Sequence, residues 1–207
     1  MNIQNLEKKI KKIANENLKK TFIADSIKEG FKLKDKLISE FLNHPVTIEL
    51  NSGPNSYVNV SGTLKNFEGN LYSFIGFESG TDPIKPILDV LLKINIFQQQ
   101  VGDNLFLVVN GFPTPQEIWD ITPMPWQDGR SWAKGIEEGI SGLNYYLFSF
   151  SKNFPTSRSG PAIQTKKQIF SGARFERVKY ISTMLNKYKV LFKNLMRKKQ
   201  ITQSFFV

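Results

Sequence analysis

Apolar positions over the first 43 residues recur at the spacing of one face of an α-helix. Ile3, Leu6, Ile10, Ile13 and Leu18 make a stripe within residues 2–20, and lysines surround it. Ile23, Ile27, Phe31, Ile38 and Phe41 make a second stripe over 23–43. The pattern predicts two lysine-rich amphipathic helices. Pro45 ends the second, because the residue before a proline is pushed out of the helical region. Such stripes can lie on a membrane surface, but packing on a core or on a neighbouring subunit is their commoner use.

The period then shortens. VTIEL (46–50) reads as a short strand, and SGPNS (52–56) as a turn. YVNVSGTL (57–64) alternates through Val58, Val60 and Leu64, as a half-buried strand does. LYSFIGF (71–77) is apolar on both faces, which predicts an inner strand. Helical spacing returns at Ile84, Leu88 and Leu91, after a cap at Thr81 or Asp82 and a first-turn Pro83. This helix is expected to pack on LYSFIGF.

NLFLVV (104–109) is the next strand, closed by Gly111 and Pro113. Residues 112–130 hold four of the 10 prolines with Trp119, Met124 and Trp126, the composition of an ordered loop or domain joint. SWAKGIEEGISGL (131–143) predicts a helix with Trp132, Ile136 and Ile140 on one side, and NYYLFSF (144–150) a strand. A turn-rich segment at 153–167, a loop or a loop running into a strand, precedes a helix over 178–197, whose Ile181, Leu185, Tyr188, Phe192 and Leu195 suit packing against another helix.

The expected fold class is α+β: N-terminal amphipathic helices, a small mostly antiparallel sheet with a packed helix, and a basic C-terminal helix. The expected segments are 1–44 (helices), 45–111 (α+β core), 112–151 (Pro/Trp-rich joint with helix and strand) and 152–207 (basic loop and helix), forming one compact unit.

Composition narrows the chemistry. The 207 residues include no Cys and one His, His44, which excludes disulfides, thiolate metal sites and any centre of two imidazoles. Apolar runs are too short to span a membrane, and residues 1–20 lack the apolar core of a secretion signal. The expectation is a soluble protein of a reducing compartment.

The net charge of +10 is unevenly placed: residues 1–44 carry +4, residues 45–151 carry −6 and residues 152–207 carry +12. Such a basic tail suits an acidic partner: nucleic acid, an anionic surface, or the acidic middle of another copy.

Catalytic patterns are thin. The glycines of GIEEGISG lie inside a helical pattern, where they cradle no phosphate. Ser131 and Lys134 fit S-x-x-K without the companion elements of that acyl-transfer set, and Ser131 reads better as a helix cap. Glu137 and Glu138 are adjacent, so they point to different sides of a helix. His44 suits a helix C-terminal cation or a loop hydrogen-bond partner. No enzyme activity, metal or cofactor is expected.

Trp119, Trp126 and Trp132 are candidates for an interface or a packed joint. Lys187, Lys189, Lys193, Arg197, Lys198 and Lys199 are candidates for an electrostatic contact. With Phe170, Phe175 and Tyr180 interleaved, the basic C-terminal region also fits non-specific nucleic-acid binding, the alternative reading.

Phe77, Glu78, Gly80, Thr81, Pro83 and Pro86 lie within LYSFIGFESGTDPIKPILDVL (71–91). This stretch resembles the tail-completion, or neck, proteins of tailed bacteriophages, in which a strand ends in an aromatic-Glu-x-Gly-Thr turn and a proline-marked helix follows. The stretch from Thr122 to Lys167 is similar to virion structural proteins of large tailed phages. The resemblance implies a ring subunit of the virion neck or tail, assembled in the host cytoplasm, that joins the head connector to the tail. Its implied partners are other copies of the chain, neighbouring neck and tail proteins and packaged DNA, with no membrane.

Overall fold

The computed structural model describes residues 3–65, 70–102, 104–125, 127–139, 146–149, 162–165 and 174–198. In chain order the elements are α1 (Ile3–Leu42), α2 (Pro45–Asn51), β1 (Leu64–Lys65), α3 (Leu71–Ile75) and α4 (Lys85–Leu92). The hairpin strands β2 (Asn95–Val101) and β3 (Asn104–Asn110) follow, then α5 (Pro115–Asp120), β4 (Pro123–Met124), β5 (Gln127–Ser131) and α6 (Trp132–Glu138). The chain continues with β6 (Tyr146–Ser149), β7 (Ala162–Thr165), β8 (Arg174–Phe175) and α7 (Ile181–Lys198). The fold class is α+β. The strands pair antiparallel in twos: β1 with β8, β2 with β3, β4 with β5 and β6 with β7.

These elements fall into two compact units. One holds Met1–Leu37, Lys93–Phe112 and Lys187–Val207, and the other Ile38–Leu92 and Pro113–Asn186.

In the first unit, α1 packs on the β2–β3 hairpin through Gly30. A Cβ built there would lie 2.9 Å from Cγ2 of Ile96, so any side chain at this position would have to push Ile96 aside. One turn later the Lys34 ammonium donates to the Ile94 carbonyl at 2.7 Å. Ile96 faces Val109 across the ladder, and both are buried with Ile94 and Leu107. Phe112 meets Phe192 of α7 edge to face, at 5.7 Å between ring centroids.

The second unit is built around two short helices where strands were expected. The 46–50 segment is α2: His44 Nδ1 accepts from the Val46 N–H at 3.2 Å, and Pro45 occupies the first turn, where its missing N–H costs nothing. The 71–77 segment is α3 and its C-terminal turn. Asn70 Oδ1 accepts from the Ser73 N–H at 3.0 Å, and Gly76 closes the helix in the left-handed region at φ 85°. All residues from Leu71 to Phe77 are buried. A run buried on every side carries no period, so it does not distinguish a strand from a short helix.

The 57–64 segment is also not the expected strand: Tyr57 is 93% exposed, and only Leu64 enters a ladder. Two buried polar side chains hold this loop instead. The Glu49 carboxylate accepts from the Ser61 N–H at 2.9 Å through one oxygen and from the Leu71 N–H at 2.6 Å through the other. Asn70 Nδ2 donates to the carbonyls of Gly53 and Ser56 at 2.7 and 2.8 Å.

Other boundaries follow local chemistry. The two expected N-terminal helices are one, because no Pro or Gly separates them. Thr21 and Ser26 turn their hydroxyls onto the carbonyls of Asn17 and Phe22, which lets both sit mid-helix. α1 ends at Leu42, ahead of the His44–Pro45 pair, as the proline rule requires. Asp82 is the cap before α4, its carboxylate accepting from the N–H groups of Ile84 and Lys85 at 3.0 Å each. α6 stops at Gly139, at φ 98°, and residues 140–143 lie outside the described residues. The five apolar positions expected to dock the C-terminal helix, Ile181, Leu185, Tyr188, Phe192 and Leu195, are all buried in α7.

Candidate functional site

The resemblance motif forms an exposed turn on a buried base. Phe77 is buried, 5.3 Å from the Tyr72 ring and 5.8 Å edge-on from Trp132. Glu78, Gly80 and Thr81 are exposed, and the turn closes by the Thr81 N–H donating to the Glu78 carbonyl at 3.0 Å. Gly80 has φ 90°, a conformation that disfavours a side chain. The Tyr72 hydroxyl lies between the Glu78 and Thr81 carbonyls, which share its single proton, and this fixes the turn from below. Pro83 is buried beside the turn, while Pro86 is exposed in the first turn of α4. The element ahead of this turn is α3, not the strand that the resemblance implies.

The three tryptophans part company. Trp132 is a core residue: 2% exposed, it packs on Phe77 and on the fully buried Tyr180. Trp119 is half-buried at the end of α5, with the Lys134 ammonium 4.6 Å from its ring centroid. Its indole Nε1 is buried and has no hydrogen-bond partner among the described residues. Trp126 lies outside the described residues.

Trp119 walls two open clefts. One, of about 270 Å³, is lined by Asp120, Arg130, Ser131 and Lys134 among others. The second, of about 410 Å³, lies against Glu137, Lys179, Ser182 and Asn186. Their polar groups are largely employed in holding the fold. Ser131 caps α6, its Oγ accepting from the Lys134 N–H at 3.1 Å while bonded to the Thr122 hydroxyl at 2.7 Å. Lys134 sits over Trp119 and 3.8 Å from Glu138. Glu137 accepts from the Ser182 N–H at 2.8 Å and so serves the first turn of α7.

His44 is half-buried, 4.9 Å from the Tyr180 ring. Its removal from water holds its pKa below the ordinary value of 6.5, against a hydrogen bond to the backbone of Lys179 and the charge of Glu40, which act upward. Tyr180 is wholly buried, which pushes its pKa up, and its hydroxyl pairs with Thr47 at 2.9 Å. Of the two roles expected for His44 it takes the hydrogen-bonding one, with the Val46 N–H and the backbone of the loop residue Lys179, and it stands at the start of α2 rather than as a cation at the end of a helix. Among the described residues no cluster of three or more His, Asp or Glu side chains is placed to hold a metal ion.

Of the basic candidates, Lys187 and Lys193 are exposed on α7, and the Lys187 ammonium lies 5.3 Å from the Tyr188 ring centroid. Lys189 is partly exposed. Arg197 and Lys198 close α7, and Lys199 lies outside the described residues.

The surface that residue-by-residue searching for chemistry misses is on α1. Every side chain described from Lys9 to Phe22 is exposed, including Ile10 at 58%, Ile13 at 51% and Leu18 at 68%. Its signal was the N-terminal apolar stripe itself. No helix among the described residues is long and apolar enough to cross a membrane. Comparison with protein-family models, curated proteins and solved structures returns no match.

Proposed function

We propose that the protein is a non-catalytic structural subunit that assembles with copies of itself into a ring in the neck or tail of a tailed-phage virion. The ring joins the head connector to the tail. The observation that carries the structural part of this reading is the apolar stripe on α1, where Ile10 and Ile13 are each more than half exposed. Contiguous exposed apolar surface marks an interaction site, and a helix stripe is the form a subunit contact takes. The charge segregation supports contact between copies, since the +12 tail of one complements the −6 middle of the next. A head-to-tail contact of that kind becomes finite when the ring closes. The virion assignment rests on the resemblance of the turn from Phe77 to Pro86.

The test is light scattering and negative-stain imaging of the purified protein, with antibody labelling of virions. Closed rings and label at the neck or tail are expected. A monomer at high concentration that labels no part of the virion overturns the reading.

A further inference from the structure

α1 carries two apolar faces that do not coincide. The buried face runs through Ile23, Ser26, Gly30, Leu37 and Phe41. The positions that continue it toward the N-terminus are Lys19, Lys12 and Lys8, so the first half of the helix offers that face no apolar side chain. The N-terminal stripe of Ile3, Leu6, Ile10 and Ile13 lies roughly 145° around the axis, at 3.6 residues per turn. It continues through Asn17 and Ala24 to Phe31, which is still 39% exposed although its neighbour Gly30 is buried. One helix thus serves its own chain with one face and leaves the other exposed at its described positions, Ile10, Ile13, Asn17, Ala24 and Phe31.

The sequence along this second face follows a heptad. Ile3, Ile10 and Asn17 fall at a, and Leu6 and Ile13 at d. Lys8, Lys11, Lys12 and Lys19 fall at b, c and f, away from the seam. The flanking e and g positions are Glu7, Ala14, Lys9 and Glu16. In a parallel pair Lys9 meets Ala14 of the partner subunit, so no like charges meet there. A single Asn at a fixes register, because it is satisfied only opposite a polar partner.

We infer that this face docks on α1 of a second copy, in register and parallel, over Ile3–Asn17. The inference deepens the reading that copies of the chain assemble, and it rests on that reading; a parallel, in-register pair uses the same face on both chains, so it is a two-fold contact made in addition to the head-to-tail contact of the ring. A seam of fifteen residues is too short to hold two chains alone, and the other ring contacts raise the effective concentration of the helices.

The chain has no cysteine, so a single introduced thiol reports one contact. Under mild oxidation of the assembled protein, Ile10→Cys is expected to form a disulfide-linked dimer and Lys11→Cys not to. Equal linking of the two variants overturns the parallel seam. So does linking that appears only when Ile10→Cys is mixed with Ile13→Cys, the antiparallel signature.

The double variant Ile10→Asp with Ile13→Asp is expected to raise the concentration for half-assembly at least tenfold. Rings that form as readily as in the parent overturn this inference and leave the ring reading standing. Ile10→Cys dimers in a preparation without rings support the helix contact and overturn the ring. If Ile10→Cys stays unlinked while the protein sediments with phosphatidylcholine–phosphatidylglycerol vesicles, the face is a membrane surface and the inference falls.

Discussion

The α2–α3 region and the N-terminal half of α1 are both helical, yet they are helical for opposite reasons. α3 is five residues long, far too short to persist in water, and it exists because every one of its side chains is buried between a polar cap and a left-handed glycine. The first half of α1 has good helix formers, clear periodicity and no buried side chain among those described. The first is made by tertiary structure and hides its period. The second shows its period and awaits something to cover it. Substitutions should therefore act on folding in one region and on association in the other.

The largest effect is expected at Ile75, which is fully buried. Ile75→Asp places an unpaired charge there and should abolish soluble folded protein, read by expression yield and far-UV circular dichroism. A folded Ile75→Asp protein would show that α3 does not anchor its unit.

Glu49→Gln tests the same region more finely. The two carboxylate oxygens accept from different N–H groups, of Ser61 and of Leu71. A glutamine replaces one acceptor by an NH₂ group and sets donor against donor at one of them. The expected loss is about 1–3 kcal/mol, the cost of one buried unsatisfied N–H, measured by urea unfolding. An unchanged midpoint would mean that these bonds do not hold the 52–64 loop.

Much of the architecture is legible in the sequence, and the failures share a cause. The helices at α4 and α7, the strand β3 and the cap at Ser131 follow from period and cap chemistry, which are local. α3 departs from the expected strand because an apolar run buried on all sides signals burial without specifying geometry, and α2 because its β-branched Val46, Thr47 and Ile48 suit a strand as well as a short helix. His44 and Asn70 cap these helices through nearby N–H groups, but Glu49 and the Asn70 amide nitrogen act on partners distant in the chain, as with Glu49 and Leu71, which no local pattern announces. Trp132 and Trp119 differ for the same reason: identical residues in neighbouring elements, one facing Phe77 and Tyr180, the other facing an open cleft. The α1 stripe was legible as apolar spacing, but that half of it stays uncovered required the structure.

His44 gives a smaller effect with a defined direction. Its pKa is held below 6.5 in the folded protein by burial, so the unfolded chain takes up its proton first as pH falls. The contribution to stability is complete above about pH 6.5 and is lost as pH drops through the folded value. Protonation of Nδ1 also removes the acceptor that caps α2. His44 is the only histidine, and carboxylates titrate lower, so a fall in the urea midpoint between pH 7 and pH 5 isolates this group. His44→Asn keeps a good N-cap and should flatten that window. A slope that survives in His44→Asn would assign it elsewhere.

The smallest folding effect is expected at Ile13, and its smallness is the test. Ile13 is 51% exposed, and serine has a helix propensity close to that of isoleucine. Ile13→Ser should therefore change the stability of the dilute protein by no more than about 0.5 kcal/mol, as surface substitutions usually do. At high concentration the parent should melt at a rising temperature, because copies that bind only the folded state stabilise it by mass action. Ile13→Ser should lose most of that rise while matching the parent when dilute. Calorimetry over a wide concentration range reads both limits in one series. A variant destabilised equally at every concentration would place Ile13 in the fold of its own chain and erase the contrast between the two helical regions.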